Sequence, residues 1–140
     1  MGRVRATSGR SRLILDAGAL IALSRGDART RAFLELALEE RLVVLVPTPV
    51  LAQVHRGDRH HARTDRVLRE VDRFVPTTVE LARAAGVLLA RAGSSDAVGA
   101  IVAAEALDGA PAAILTSDAQ DIARLVEAGS GPGQTAVHGI

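Results

Sequence analysis

Cysteine and lysine are both absent from this 140-residue chain, and so are tryptophan and tyrosine. Without cysteine there is no disulfide, no thiolate zinc or iron–sulfur site and no cysteine nucleophile. With no lysine, all 17 residues counted as Lys or Arg are arginine. A P-loop phosphate lysine, a Schiff-base lysine and lysine-dependent phosphotransfer are therefore excluded. Apart from histidine, Phe33 and Phe74 are the only aromatic side chains. A module that stacks bases on an aromatic platform needs more than that. No apolar run approaches the ~18–20 uninterrupted residues of a spanning helix, so no membrane partner is expected.

The residues that are present describe one globular domain. A hydrophobic share of 48% and a charged share of 24% rule out global disorder, and the length suits a single core. The formal net charge is only +1. Attraction to a polyanion must come from local clustering of arginines. Met1–Arg12, with Arg3, Arg5, Arg10 and Arg12 among Gly, Ser and Thr, reads as a flexible basic arm ahead of a domain over 13–140. The apolar stretch that follows resembles a secretion signal, but Asp16 interrupts it. An ionised carboxylate is unfavourable there, so a cytoplasmic location is expected.

Helical and extended patterns alternate along the chain. Apolar runs at Leu13–Asp16, Leu42–Val46, Arg73–Pro76 and Ala112–Thr116 predict strands, with Thr135–His138 as an edge strand. Between them lie a short helix ending near Gly26, a helix over Ala28–Glu40, and one opened by Thr48 with Pro49 at its first position and running toward Gly57. A charged helix is expected over His60–Val71. Thr77-x-x-Glu80 reads as a capping box for a helix to about Arg91. Ser94 or Ser95 is expected to cap a nearly all-apolar helix over Asp96–Leu107, and a last helix covers Asp118–Ala128. Gly129–Gly133 reads as a loop. Alternation of this kind predicts a three-layer α/β/α sandwich around a mostly parallel sheet. In such folds ligands bind beyond the carboxyl ends of the strands.

Three carboxylates fall at that edge. Asp16 ends the first strand, Asp118 follows the fourth, and Asp96 begins the all-apolar helix, with Asp121 one turn past Asp118. Converging like charges favour a divalent counter-cation, and oxygen-only ligands suit Mg²⁺ or Mn²⁺. Each aspartate also has a structural reading. Asp96 and Asp118 complement helix N-termini, and Asp118-x-x-Asp121 resembles a reciprocal cap. Asp16 is harder to explain that way, because it places a charge between two apolar segments.

The segments Leu-Ile-Leu-Asp16-Ala-Gly-Ala-Leu-Ile-Ala-Leu, Val-Pro-Thr-Pro-Val-Leu-Ala-Gln53-Val, Ser-Ser-Asp96-Ala-Val-Gly-Ala and Ile-Leu-Thr-Ser-Asp118-Ala-Gln-Asp121 together resemble a PIN domain. The short stand-alone PIN proteins of the VapC toxin type are most similar, over Leu13 to the C-terminus. The resemblance implies a Mg²⁺- or Mn²⁺-dependent ribonuclease that is the toxin of a type II toxin–antitoxin pair, a homodimer neutralised by a cognate antitoxin. It also implies Asp16, Asp96 and Asp118 as principal metal-binding acids, with Asp121 auxiliary. Gln53 departs from the family pattern, which has Glu there. Gln keeps an oxygen ligand but removes a negative charge and a general base. A PIN-fold binding or regulatory protein with weak or no turnover is therefore the alternative.

Around these acids stand lesser candidates. Arg56, Arg59, Arg63 and Arg66 are spaced to form one helical stripe, suited to RNA phosphates. The competing reading is a solvated face with Asp65→Arg69 and Arg66→Glu70 pairs. His60 and His61 point apart on a helix, which argues against a histidine metal site. Ser117 reads as a cap or as a hydroxyl supporting the acids.

Overall fold

The computed structural model describes residues 10–129 and 134–140, with His60 described by its backbone only. Five strands form one sheet: β1 (Arg12–Leu15), β2 (Val43–Pro47), β3 (Arg73–Val75), β4 (Ala112–Thr116) and β5 (Thr135–Gly139). Their order is β3-β2-β1-β4-β5, and every pairing is parallel. Leu13 lies opposite Val44 on one side and Ala113 on the other, so β1 is the centre of the sheet.

The three middle strands are apolar without alternation because helices cover both faces. Leu13, Ile14, Val44, Val46 and Ile114 are fully buried. Burying each such side chain contributes roughly 1.5–3 kcal/mol. At the margins, β3 is short and largely exposed and β5 alternates, as suits edge strands.

One helical layer consists of α1 (Ala17–Ser24), α2 (Ala28–Glu39), α3 (Thr48–Val54) and α4 (Ala62–Leu68). Within it α1 packs against each of the others. α5 (Val79–Ala92), α6 (Ala97–Leu107) and α7 (Ala119–Gly129) pack mutually in the other layer. Small residues let α6 lie between its neighbours, and Gly99, Ala100, Val102, Ala103, Ala104 and Ala106 are all buried. Arg12 closes the far end of α6. Its guanidinium donates to the carbonyls of Glu105 (2.9 Å), Ala106 (2.9 Å) and Ala110, and lies 3.5 Å from the Glu105 carboxylate. The bonds to Glu105 and Ala106 reach carbonyls that a helix C-terminus leaves without intrahelical partners. Burial is the main influence on both ions, lowering the Arg12 pKa and raising that of Glu105. Among the described residues no single helix is long and apolar enough to cross a membrane. Helices α5 and α6 have the composition when taken together, but they are bent by 112° at the break between them.

Local expectations needed correction where a single turn decides the geometry. Helix α3 starts at Thr48 and is N-capped by Pro47, with no side-chain cap bond, and it stops at Val54. The charged helix expected over His60–Val71 is a 3-10 turn at Arg59–His61 followed by the shorter α4. Thr78, rather than Thr77, caps α5, its hydroxyl accepting from Leu81 N at 3.1 Å. Asp96 itself, rather than Ser94 or Ser95, caps α6. Of the expected basic arm, residues 1–9 lie outside the described residues, while Arg10 donates to the Arg41 carbonyl at 2.7 Å. Gly129 is the last residue of α7, and the rest of the expected loop, 130–133, lies outside the described residues.

Candidate functional site

From β1 the chain builds outward through β2 to β3, then crosses to β4 and builds outward to β5. Strand order therefore reverses between β1 and β4. A crevice opens at such a point beyond the carboxyl ends of the strands. Asp16 directly follows β1 and Asp118 lies two residues past β4, so both flank the reversal.

Asp16 is the N-cap of α1, its carboxylate accepting from Ala19 N at 2.9 Å. The other carboxylate oxygen accepts a very short bond from the hydroxyl of fully buried Thr116. Burial raises the Asp16 pKa. The bonds from Thr116 and from the backbone of Ala19, Gly18 and Ser117 oppose that rise without cancelling it. Thr116 Oγ1 in turn accepts from Asp118 N at 2.9 Å. One hydroxyl thus ties the acid after β1 to the acid after β4.

On the opposite layer Asp96 caps α6, accepting from Gly99 N at 2.8 Å, while Asp96 N donates to Ser94 Oγ at 3.1 Å. Ser94 Oγ also reaches Asp121 at 3.5 Å. The second oxygen of Asp121 pairs with Arg124 at 2.5 Å. The Asp118 side chain is exposed and has no hydrogen-bond partner among the described residues.

Asp96, Asp118 and Asp121 each offer a carboxylate oxygen, and these oxygens all lie within 4.8 Å of one another. The helices α6 and α7 direct their N-termini at this group, and their dipoles offset part of the repulsion. An all-oxygen set with an uncommitted Asp118 carboxylate suits a hard divalent cation. Asp16 is not a member of this triplet and joins it through Thr116. Asp121, expected to be auxiliary, stands with Asp96 and Asp118.

Glycines make room for the Asp96 carboxylate and for Ser117, the residue before Asp118. A Cβ on Gly99 would fall 2.2 Å from the Asp96 carboxylate, and one on Gly18 would fall 1.9 Å from Ser117 Oγ. The Thr116 hydroxyl has no role in the sequence reading, although it sits two residues before an acid (Thr116-Ser-Asp118), and Ser94, expected as a helix cap, instead links Asp96 N to Asp121. Arg124, three residues after Asp121, was equally readable as a helical ion pair.

Gln53 is exposed on α3, which packs against α1 and α6, the helices capped by Asp16 and Asp96. The four arginines do not form one helical stripe. Only Arg63 and Arg66 lie on α4, because the chain leaves α3 at His55 and turns at Gly57, where φ is +74°. Neither the Asp65→Arg69 nor the Arg66→Glu70 pair forms among the described residues. Glu70 lies beyond the end of α4 and pairs with Arg31 at 2.7 Å.

The fold is the three-layer α/β/α sandwich around a parallel sheet that the sequence motifs implied. It is similar to that of a chain in the crystal structure of VapBC2 from Rickettsia felis bound to a DNA fragment from their promoter. The TM-score is 0.65 at 14% sequence identity, covering 91% of this chain and 98% of that one. No protein-family model and no curated protein matches the sequence.

Proposed function

We propose that this chain is a divalent-metal-dependent endoribonuclease and the toxin of a type II toxin–antitoxin pair. The observation that carries the reading is the meeting of Asp96, Asp118 and Asp121 oxygens within 4.8 Å beside the strand-order reversal. These three, with Asp16 completing the set through Thr116, would hold Mg²⁺ or Mn²⁺. When bound, such an ion supplies a Lewis acid for a phosphoryl oxygen and lowers the pKa of water. The chain's own contribution is placement. Thr116 holds the Asp16 carboxylate and the Asp118 backbone in one register, and Ser94 links Asp96 to Asp121. Gln53, on the helix between those capped by Asp16 and Asp96, offers an amide oxygen instead of a carboxylate. The likeness to a chain of VapBC2 supports an antitoxin protein as partner. Exposed Val79 and Val87 on α5 supply apolar area for a homodimer.

The test is cleavage of single-stranded RNA by the purified chain with Mn²⁺ or Mg²⁺, against Asp96→Asn and Asp118→Asn. Loss of cleavage in both variants is expected, and equal activity in all three would place the reaction elsewhere. Gln53 is the observation that favours a second reading, a PIN-fold protein that binds without turnover. Metal binding with no cleavage of any RNA would select that reading.

A further inference from the structure

A cavity of about 630 Å³ has Gly18 and Ser117 in its lining. Ser117 immediately precedes Asp118, and Gly18 is two residues after Asp16, so the cavity's lining adjoins the acids along the chain although none of the four acids lines it. Arg25 lines its far side, with Ile21 and Ile140, two of the exposed large apolar side chains. Arg25 is nine residues past Asp16 along α1, which at ~1.5 Å each puts it about 13.5 Å along the helix from Asp16. One acid also lines the cavity, but it is already committed: Asp27 caps α2, accepting from Thr30 N at 2.9 Å and from the Thr30 hydroxyl. Arg25 and Arg29 both lack a hydrogen-bond or ion-pair partner among the described residues, but only Arg25 lines the cavity. Arg124 is held by Asp121 and Arg31 by Glu70, whereas the Arg25 guanidinium has no carboxylate or hydrogen-bond partner among the described residues.

We infer that this cavity receives the nucleotide next to the scissile phosphate, with Arg25 on a backbone phosphate and Ile21 and Ile140 against the base. The inference rests on the nuclease reading, because it takes the acids as the place where the strand is cut. An arginine fork matches phosphate geometry, and an uncommitted one at a concave rim loses no existing bond when it engages. Apolar side chains accept any base face, so the subsite fixes the strand's position more than its sequence. The strand would then cross the carboxyl edge of the sheet, away from the Arg63 and Arg66 face of α4.

The experiment measures binding of a mixed-sequence single-stranded oligoribonucleotide by fluorescence anisotropy over a series of salt concentrations. The Asp118→Asn chain is used throughout, so that the strand stays intact. Adding Arg25→Ala is expected to weaken binding about tenfold and to lower the slope of log Kd against log salt by about 0.7, the value of one single-strand phosphate contact. Arg25→Lys should keep the slope, which an arginine serving only the C-terminus of α1 would not require. An unchanged slope in Arg25→Ala, with Arg63→Ala/Arg66→Ala lowering it instead, overturns the subsite and leaves the nuclease reading standing. Failure of the unmutated chain to cleave any RNA overturns both.

Discussion

Replacing Gly99 by alanine tests whether Asp96 is anchored as the structure describes. A Cβ there would stand 2.2 Å from Asp96 Oδ2 and 2.7 Å from its Cγ, distances that real Cβ contacts do not reach. Because Gly99 is buried on α6, the carboxylate must rotate away and give up its bond to Gly99 N. Losing an aspartate cap costs about 1 kcal/mol. Against this, glycine to alanine inside a helix gains up to about 1 kcal/mol. Gly86 supplies the internal control, since it is exposed on α5 and nothing lies within 4 Å of its added Cβ. The expected outcome is a stabilised Gly86→Ala and a Gly99→Ala that falls below it by about 1–2 kcal/mol. For a domain of this size that corresponds to a gap of roughly 3–7 °C in Tm. Thermal unfolding of both variants without metal reads the gap directly. Repeating the melts with Mn²⁺ should show metal-induced stabilisation in Gly86→Ala and a smaller effect in Gly99→Ala. Equal Tm values and equal metal responses would refute the placement of the Asp96 carboxylate.

The half-buried Asp16 carboxyl has its pKa raised by desolvation, so ionising it costs folding free energy. Stability owed to the protonated form is full below the unfolded pKa, about 4, and is lost as pH rises through the higher folded value. Asp16→Asn without metal should therefore be as stable as the parent, or more so, above that window, with the gap closing on acidification; a variant less stable at neutral pH contradicts this. Arg12→Met leaves the mostly buried Glu105 without its cation and the end of α6 without its donors. Urea unfolding should show a loss of about 3 kcal/mol, and a change under 1 kcal/mol would mean that the ion pair is not buried as described. Gln53→Glu should tighten Mn²⁺ binding and raise the cleavage rate, because carboxylate count sets much of the affinity for a hard cation. An unchanged Kd would place residue 53 outside the metal's reach.

The central strands were readable because a strand covered on both faces carries an uninterrupted apolar run, as in β1, β2 and β4. From alternation alone the parallel sheet followed, and with it the carboxyl edge where Asp16 and Asp118 stand. The caps were harder, because neighbouring hydroxyls or carboxylates compete for the same helix N-terminus. Thr77 and Thr78 are both threonines beside α5, and only the turn at Thr78 aims its oxygen at Leu81 N. The arginine spacing suggested a stripe because a periodic count passes through Gly57 as if the helix continued. The helix has already ended at Val54, His55 is extended, and the chain turns at Gly57 before α4 begins. The pairing of Asp121 with Asp96 depends on how α7 packs against α6, a relation between distant segments that no local pattern contains. The bridge from Thr116 to Asp16 is of the same kind, linking residues 100 positions apart.

Calorimetric titration of Mn²⁺ into the unmutated chain tests the metal site most directly. The account predicts saturable binding that Asp118→Asn abolishes, together with about 2.7 kcal/mol of added stability at a hundredfold excess over Kd. No heat and no rise in Tm at millimolar Mn²⁺ would contradict it.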